Sequence, residues 1–293
     1  MSETRFRYPE AIVSTEWLAA HLDDPALRIY DCTTYLAAPE GPDHPYKVVS
    51  GRADYEAAHI PGSAFLDLQE EFSNKASPYR FTLLPLDELA VRFARHGIGD
   101  GIRVVLYSRK SPIWATRIWW MLRTVGFDNA ALLDGGWDKW AAEGRPASGE
   151  PASYPPATLS VTPRPQLFVG RDAVQGAIGD AGICTINALA PELHSGESPR
   201  YGRPGRVPGS VNVPAGSLFD PETLELPAPD KAAAAFAGVG AEPSKRTIVY
   251  CGGGIAATYD AFLLHQLGYE DIAVYDNSMS EWATDESLPI ETG

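Results

Sequence analysis

Short apolar runs alternate with longer stretches of helical periodicity along the chain. In the first half, residues 27–31, 104–107 and 130–133 form such runs, and residues 86–96 and 115–126 carry apolar side chains three or four positions apart. The runs are typical of buried parallel strands, and the longer stretches predict helices. Strand–helix alternation predicts an α/β fold, in which a small parallel sheet carries helices on both faces.

The second half shows the same alternation. The pattern predicts strands at residues 183–186, 248–250 and 272–275, and helices at residues 232–238 and 256–267. We therefore expect two sheets of the same kind.

Short motifs also recur in the same order in both halves. Residues 59–63, His-Ile-Pro-Gly-Ser, return at residues 206–210 as Arg-Val-Pro-Gly-Ser, and Trp140 has a counterpart in Trp282. Several matched features in register indicate a duplicated domain.

A proline-rich stretch lies between the two copies and predicts an extended linker. We expect a first domain at residues 1–145, a linker at residues 146–164 and a second domain at residues 165–293.

The amino-acid composition argues against some classes of partner and location. The chain has 38 acidic and 24 basic residues and a net charge of −14, which disfavours nucleic acid and anionic membranes as partners. It has no apolar run of about 20 residues, the length of a membrane span. The first nine residues lack the apolar core of a signal peptide, and three cysteines do not suit a disulfide scaffold. We therefore expect a cytoplasmic protein.

The segment that carries chemistry begins where the predicted strand at residues 248–250 ends in Cys251. The six residues after it form a loop and the start of a helix: Gly252, Gly253, Gly254, Ile255, Ala256 and Ala257. Ligands bind at the carboxyl ends of parallel strands, and a glycine run lets several backbone N–H groups point at one place. Together with the positive end of the helix, these groups favour a thiolate nucleophile and would stabilise a persulfide anion.

Other interpretations of these residues are weaker. A free cysteine is more often a small buried hydrophobe than a nucleophile, and we assign that role to Cys32 and Cys184, which end short apolar strands. It explains Cys251 poorly, because three consecutive glycines serve no packing purpose. The run also lacks the Lys and Ser/Thr of a phosphate-binding P-loop.

These residues resemble the rhodanese family over essentially the whole chain. Residues 59–64 with Leu66 and Asp67 look like the family's first signature, residues 132–140 look like its second, and the loop opened by Cys251 is similar to its active-site loop. The resemblance implies two tandem rhodanese-like domains with the active site between them.

The resemblance also implies a mechanism. The Cys251 thiolate attacks the outer sulfur of a small anionic donor, and the persulfide then passes its sulfur to a thiol or cyanide acceptor. The backbone amides of residues 252–257 carry the negative charge. No metal and no organic cofactor is implied.

The first domain departs from this pattern and is expected to be inactive. Ser108 occupies the position of Cys251, and Pro112 removes an N–H group from the loop. Phosphatases of similar fold use a longer loop and often an arginine where this chain has Ala257, so a phosphatase is disfavoured.

The donor remains open between two classes. Thiosulfate-using members typically have Arg and Lys where this chain has Gly252 and Gly253. Mercaptopyruvate-using members typically combine a loop Ser with an Asp and a His, at positions that align with Gly253, Gln69 and Phe81. The missing relay counts against mercaptopyruvate and the neutral loop counts against efficient use of thiosulfate. We favour thiosulfate, which is the common activity of tandem members.

One substrate-binding arginine of the family is replaced by Leu193. Arg200, Arg203 and Arg206 lie close together in the sequence and predict a compensating anion site that faces Cys251. The alternative for each of them is a solvated loop.

Two functions therefore stay in view. The first is a sulfurtransferase that uses Cys251, and the second is a non-catalytic sulfur-binding or sensor module that has kept the fold. Persulfide formation on Cys251 separates them.

Overall fold

A computed structural model describes residues 4–41 and 45–293, so residues 1–3 and 42–44 of the predicted first domain lie outside the described part. It confirms the predicted fold class, with two parallel sheets and flanking helices. No helix in the described part is long and apolar enough to cross a membrane.

The first half contains seven strands and six α-helices among its described residues. The strands are Ile12–Val13 (β1), Leu27–Asp31 (β2), Thr34–Ala37 (β3), Lys47–Ser50 (β4), Ala64–Phe65 (β5), Arg103–Tyr107 (β6) and Ala130–Leu133 (β7). The helices are Thr15–Ala20 (α1), Arg52–Ala57 (α2), Leu68–Glu71 (α3), Leu86–Arg95 (α4), Ile113–Val125 (α5) and Gly136–Ala142 (α6).

The second half follows the same plan. Its strands are Phe168–Val169 (β8), Ile183–Asn187 (β9), Val211–Asn212 (β10), Arg246–Tyr250 (β11) and Ile272–Tyr275 (β12). Its helices are Arg171–Ala177 (α7), Pro191–Ser195 (α8), Pro229–Gly238 (α9), Ala256–Gln266 (α10) and Ser278–Trp282 (α11).

Strand order shows the duplication directly. The first sheet runs β1-β7-β6-β2-β5 and the second runs β8-β12-β11-β9-β10, with every neighbouring pair parallel. The antiparallel pair β3–β4 stands apart from both sheets and was not predicted from the sequence.

The repeated Pro-Gly-Ser motif has the same structural role in both halves. The Ser63 hydroxyl lies 2.9 Å from the Tyr107 hydroxyl, and the Ser210 hydroxyl lies 2.7 Å from the Tyr250 hydroxyl. Each tyrosine ends the central strand of its sheet, so the motif ties a loop to the strand that precedes the functional segment.

The helices that follow these central strands pack against each other at the domain interface. The Thr116 and Thr258 hydroxyls, one from α5 and one from α10, lie 3.0 Å apart. Farther along, the rings of Trp119 and Phe262 meet edge to face, with centroids 4.9 Å apart. Because α5 and α10 begin at this interface, the Ser108 and Cys251 loops that precede them lie beside the opposite domain.

Residues 146–164 contain neither helix nor named strand and lie against the first half. The Tyr154 hydroxyl donates to the Gly62 carbonyl at 2.6 Å, and the Ala157 and Thr162 N–H groups donate to carbonyls of α4 and α5. The extended segment is therefore fixed along its course by backbone and side-chain hydrogen bonds.

Candidate active site

Cys251 lies directly after β11, at the carboxyl end of the second sheet. β11 pairs with β9 on one side and β12 on the other, so the cysteine stands at the centre of the sheet edge. Only 2% of its surface is exposed. A thiol at this place meets ligands where parallel sheets generally bind them.

The backbone amides after Cys251 are unused by the protein. None of the N–H groups of residues 252–257 donates a hydrogen bond within the described chain. Gly252, Gly253, Gly254 and Ile255 are buried. Buried N–H groups are almost always paired in native proteins, so a run of free ones next to a thiol makes this loop a candidate anion site.

The carbonyl groups of the same loop are held from outside. The Cys251 carbonyl accepts from the Met279 N–H at 3.1 Å, and the Gly252 carbonyl accepts from the N–H and hydroxyl of Ser280 at 2.8 and 2.7 Å. C=O and N–H groups of one trans peptide point in opposite directions. The N–H groups of Gly252 and Gly253 therefore point away from residues 278–280.

The first domain fixes a further peptide through Arg117, a fully buried residue of α5. Its guanidinium donates to the Gly254 carbonyl at 3.0 Å, to the Phe81 carbonyl at 2.7 Å and to the Asp276 carboxylate at 2.6 Å. The N–H of Ile255 shares the Gly254 peptide, so it points away from Arg117. The first half thus orients a backbone donor in the loop that follows Cys251.

Gly254 has a backbone that only glycine adopts without strain, with φ at +71°. A Cβ there would lie 2.2 Å from the Asp276 carbonyl oxygen. The loop therefore turns sharply against the segment after β12, which keeps its amides around Cys251.

Two tyrosines close over the other two glycines. A Cβ on Gly252 would lie 2.0 Å from the Tyr201 hydroxyl, and one on Gly253 would lie 2.8 Å from the Tyr46 hydroxyl. Burial and then the neighbouring Cys251 raise the pKa of Tyr46 to about 12, and the same two causes raise the pKa of Tyr201. Both phenols therefore keep their protons at neutral pH.

Arginines from both domains approach these tyrosines. The Arg200 guanidinium lies 5.9 Å from the ring centroids of both Tyr46 and Tyr201. The positive charge of Arg80 acts on Tyr46 as well, and its buried Nε has no hydrogen-bond partner. Neither arginine pairs with an acid in the described part of the chain. Arg200 is exposed and Arg80 is half-buried, and two cations without an acidic partner beside these tyrosines suit an anionic ligand.

The other two arginines of the predicted anion site have different partners. Arg203 donates to the carbonyls of Trp282, Ala283, Asp285 and Leu288. Arg206 donates to the carbonyls of His194 and Gly293 and pairs with Glu291. The prediction of a three-arginine site is wrong for Arg203 and Arg206, because their guanidinium groups fasten the C-terminal segment and are not free for a ligand.

Gln69, Phe81 and Gly253, which align with the proton relay of mercaptopyruvate-using members, lie close together at the Cys251 loop. The Phe81 N–H donates to Gln69 Oε1 at 3.3 Å, and the Phe81 ring lies 3.8 Å from the Cβ position of Gly253. Phe81 has a φ of +64°, which the Arg117 bond to its carbonyl helps to hold. None of these three residues has a side chain that transfers a proton at neutral pH.

The equivalent loop of the first domain is closed by its own side chains. The Ser108 hydroxyl donates to the Ser111 carbonyl at 2.6 Å. Arg109 folds inward, where it pairs with Asp31 at 3.4 Å and stacks on Trp137. These contacts leave this loop without a free nucleophile.

Sequence reasoning did not find Tyr46, Arg80, Arg117 or Tyr201. The first three come from the other domain, more than 100 positions from Cys251 in the sequence. A usable signal was the pair Gly252–Gly253, since a missing side chain next to a nucleophile indicates that another group fills the space.

Two curated proteins of similar sequence are named as a sulfurtransferase and a sulfur carrier. "Thiosulfate/3-mercaptopyruvate sulfurtransferase 1, mitochondrial" of Arabidopsis thaliana is 32% identical over 97% of this chain and 78% of its own length. "Sulfur carrier protein TtuD" of Thermus thermophilus is 29% identical over 98% of this chain and 99% of its own length.

A solved structure agrees with the fold. The crystal structure of SseA from Escherichia coli, described as a 3-mercaptopyruvate sulfotransferase with the rhodanese fold, superposes with a TM-score of 0.79. It is 29% identical and covers 92% of this chain and 98% of its own. A sequence profile described as "Rhodanese-like domain" matches residues 14–143 and 195–285. The chain belongs to the rhodanese family.

Proposed function

We propose that this protein is a sulfurtransferase that carries sulfur as a persulfide on Cys251. The observation that supports this most directly is the run of unpaired backbone N–H groups at residues 252–257, next to the thiol, of which residues 252–255 are buried. Such amides stabilise an anion without a counter-charge, and a terminal persulfide is an anion that extends beyond the cysteine into that space.

The chemistry proceeds in two displacements. The Cys251 thiolate attacks the outer sulfur of thiosulfate, a new S–S bond forms, and sulfite leaves with the electron pair of the old S–S bond. A thiol or cyanide acceptor then attacks the terminal sulfur, and the Cys251 thiolate leaves with its electrons. Each step exchanges one bond to sulfur for another and needs no external oxidant or reductant.

Thiosulfate is the favoured donor over mercaptopyruvate. Its transfer releases sulfite, an anion that needs no proton at neutral pH, whereas transfer from mercaptopyruvate leaves an enolate that must be protonated. The relay positions hold Gln69, Phe81 and Gly253, which supply no such proton. The unpaired charges of Arg80 and Arg200 suit a dianionic donor.

The partners we propose are a small-molecule sulfur donor and a thiol or cyanide acceptor, with no nucleic acid and no membrane. The three cysteines are free thiols, which fits the reducing cytoplasm as the proposed location.

A turnover assay with matched variants tests the proposal. Wild-type protein is given thiosulfate or mercaptopyruvate with cyanide as acceptor, and thiocyanate is measured. Cys251→Ser should abolish turnover, while Cys184→Ser, which removes a half-buried thiol outside this loop, should keep it. A higher kcat/KM with mercaptopyruvate would overturn the donor assignment. Equal turnover in the wild type and Cys251→Ser would overturn the sulfurtransferase itself.

A further inference from the structure

The space beside Gly252 and Gly253 is filled by hydroxyl groups. The Tyr201 hydroxyl occupies the place of a Gly252 side chain, 2.0 Å from its ideal Cβ position, and Tyr46 does the same at Gly253 with 2.8 Å. Any larger residue in the loop would displace a phenol. The two glycines and the two tyrosines therefore form one arrangement.

This arrangement joins both domains. Tyr46 precedes β4 of the first domain, Tyr201 follows α8 of the second, and their rings meet edge to face with centroids 6.4 Å apart. Arg200 lies close to both rings. The phenols are thus fixed at the mouth of the Cys251 loop by packing from two sides.

The Tyr201 hydroxyl is open to a ligand. It forms no hydrogen bond to another described residue, and Tyr201 is only partly buried, so a small molecule can reach its O–H group. The Tyr46 hydroxyl has the Ser280 side chain as a hydrogen-bonding neighbour. A phenylalanine would fill the same volume as either tyrosine but would offer no donor to a ligand.

We propose that Tyr46 and Tyr201 are substrate-binding residues, whose phenolic O–H groups donate to the anionic oxygen or sulfur atoms of the sulfur donor. They take the place of charged loop side chains, and Gly252 and Gly253 leave the room for them. The ligand class is a small anion rich in acceptor atoms, such as thiosulfate. This deepens the proposed sulfurtransferase function and rests on it.

Binding is measured first, because it does not depend on turnover. Thiosulfate is titrated calorimetrically into Cys251→Ser protein and into the same protein carrying Tyr46→Phe or Tyr201→Phe. Loss of one hydrogen bond to an anion should weaken binding about tenfold or more in each Phe variant. Tyr35→Phe is the matched control, since the Tyr35 hydroxyl is bonded to the exposed Asp54, and it should leave Kd unchanged.

The active protein provides the second arm. The Phe variants should lose about tenfold or more in kcat/KM for thiosulfate, with an unchanged melting temperature. Their Cys251 should react with iodoacetamide, a neutral reagent, within about twofold of the wild-type rate, because only an anionic ligand uses the hydroxyls. A merely structural role would change melting and alkylation together.

The outcomes separate the two proposals. Phe variants that bind thiosulfate with the Kd of the Cys251→Ser parent would overturn the role of the tyrosines, whatever the turnover. Weakened thiosulfate binding in the Phe variants, together with wild-type protein that transfers no sulfur, would support the tyrosines as an anion site and overturn only the sulfurtransferase.

Discussion

Replacement of Arg117 by methionine tests how the first domain acts on the proposed active site. Methionine keeps an unbranched side chain in the buried position but donates no hydrogen bond. The change leaves the Gly254 and Phe81 carbonyls without their donor and leaves the Asp276 carboxylate without its cation. We expect losses in both stability and sulfur transfer.

The two losses have separate sizes. Breaking a buried ion pair by removing one partner costs about 3–5 kcal/mol of stability. Asp276 keeps its bond from the Leu83 N–H and its side chain is 13% exposed, so we expect a value near the lower end. Misalignment of the Ile255 N–H removes one hydrogen bond to the persulfide, worth about 1.5–3 kcal/mol. That corresponds to a roughly 10- to 100-fold slower reaction with thiosulfate.

Arg109→Met is the matched control. Arg109 forms a buried ion pair with Asp31 at 3.4 Å, but it belongs to the Ser108 loop of the first domain and not to the Cys251 loop. Its removal should cost comparable stability and leave sulfur transfer unchanged. The assay is single-turnover persulfide formation, at a temperature where circular dichroism shows both variants fully folded.

Arg117→Lys refines the comparison. A lysine ammonium keeps a charge for Asp276 but does not span three acceptors as the guanidinium does. We expect it to recover part of the stability while turnover stays low. Wild-type turnover in Arg117→Met, or an equal loss of turnover in Arg109→Met, would refute the role of Arg117 as a positioning residue.

Three further predictions concern the Cys251 loop, the core and the Ser108 loop of the first domain. Gly254→Ala should reduce sulfur transfer at least about tenfold, because its Cβ would lie 2.2 Å from the Asp276 carbonyl oxygen. Gly240→Ala is the control: Gly240 also has a positive φ, +79°, but has open space around it, so the change should lower stability and leave turnover unchanged. Equal turnover in the two variants would contradict this prediction. Burial raises the pKa of the unpartnered Asp260 well above 3.8, so the folded state binds more protons than the unfolded state and stability falls as pH rises above about 4. Asp260→Asn should remove this fall, which amounts to up to about 1.4 kcal/mol per pH unit in denaturant titrations between pH 5 and 8; an unchanged pH slope would show that Asp260 is ionised. Ser108→Cys should gain no second sulfur from thiosulfate by intact mass, because that loop is closed, and a gain of two sulfurs would show otherwise.

The local pattern of apolar and polar residues predicted much of the fold. The predicted bounds of β2, β7 and β12 coincide with those in the structure, and α5 ends before Gly126, which has a φ of +97°. These elements are short, apolar and flanked by clear turn residues, so local sequence decides them. The antiparallel pair β3–β4 was not found, because each strand has only four residues and mixes polar with apolar side chains.

In the candidate site, the residues that are contiguous in sequence were predicted, and those from the other domain were not. The segment from Cys251 to Ala257 was found because strand, loop and helix start are contiguous. Arg80, Tyr46 and Arg117 were missed because the domain interface brings them there, and one sequence does not show which helices meet across an interface. Arg203 and Arg206 were misassigned because closeness in sequence says nothing about the direction of a side chain; their partners lie near the C-terminus.

The central claim is that Cys251 carries sulfur on its thiol. Intact mass after incubation with thiosulfate, followed by peptide mapping without reductant, tests it most directly. We predict a gain of one sulfur, about 32 Da, on the peptide that contains Cys251, reversed by cyanide and absent in Cys251→Ser. No gain, or a gain that persists in Cys251→Ser, would contradict the account.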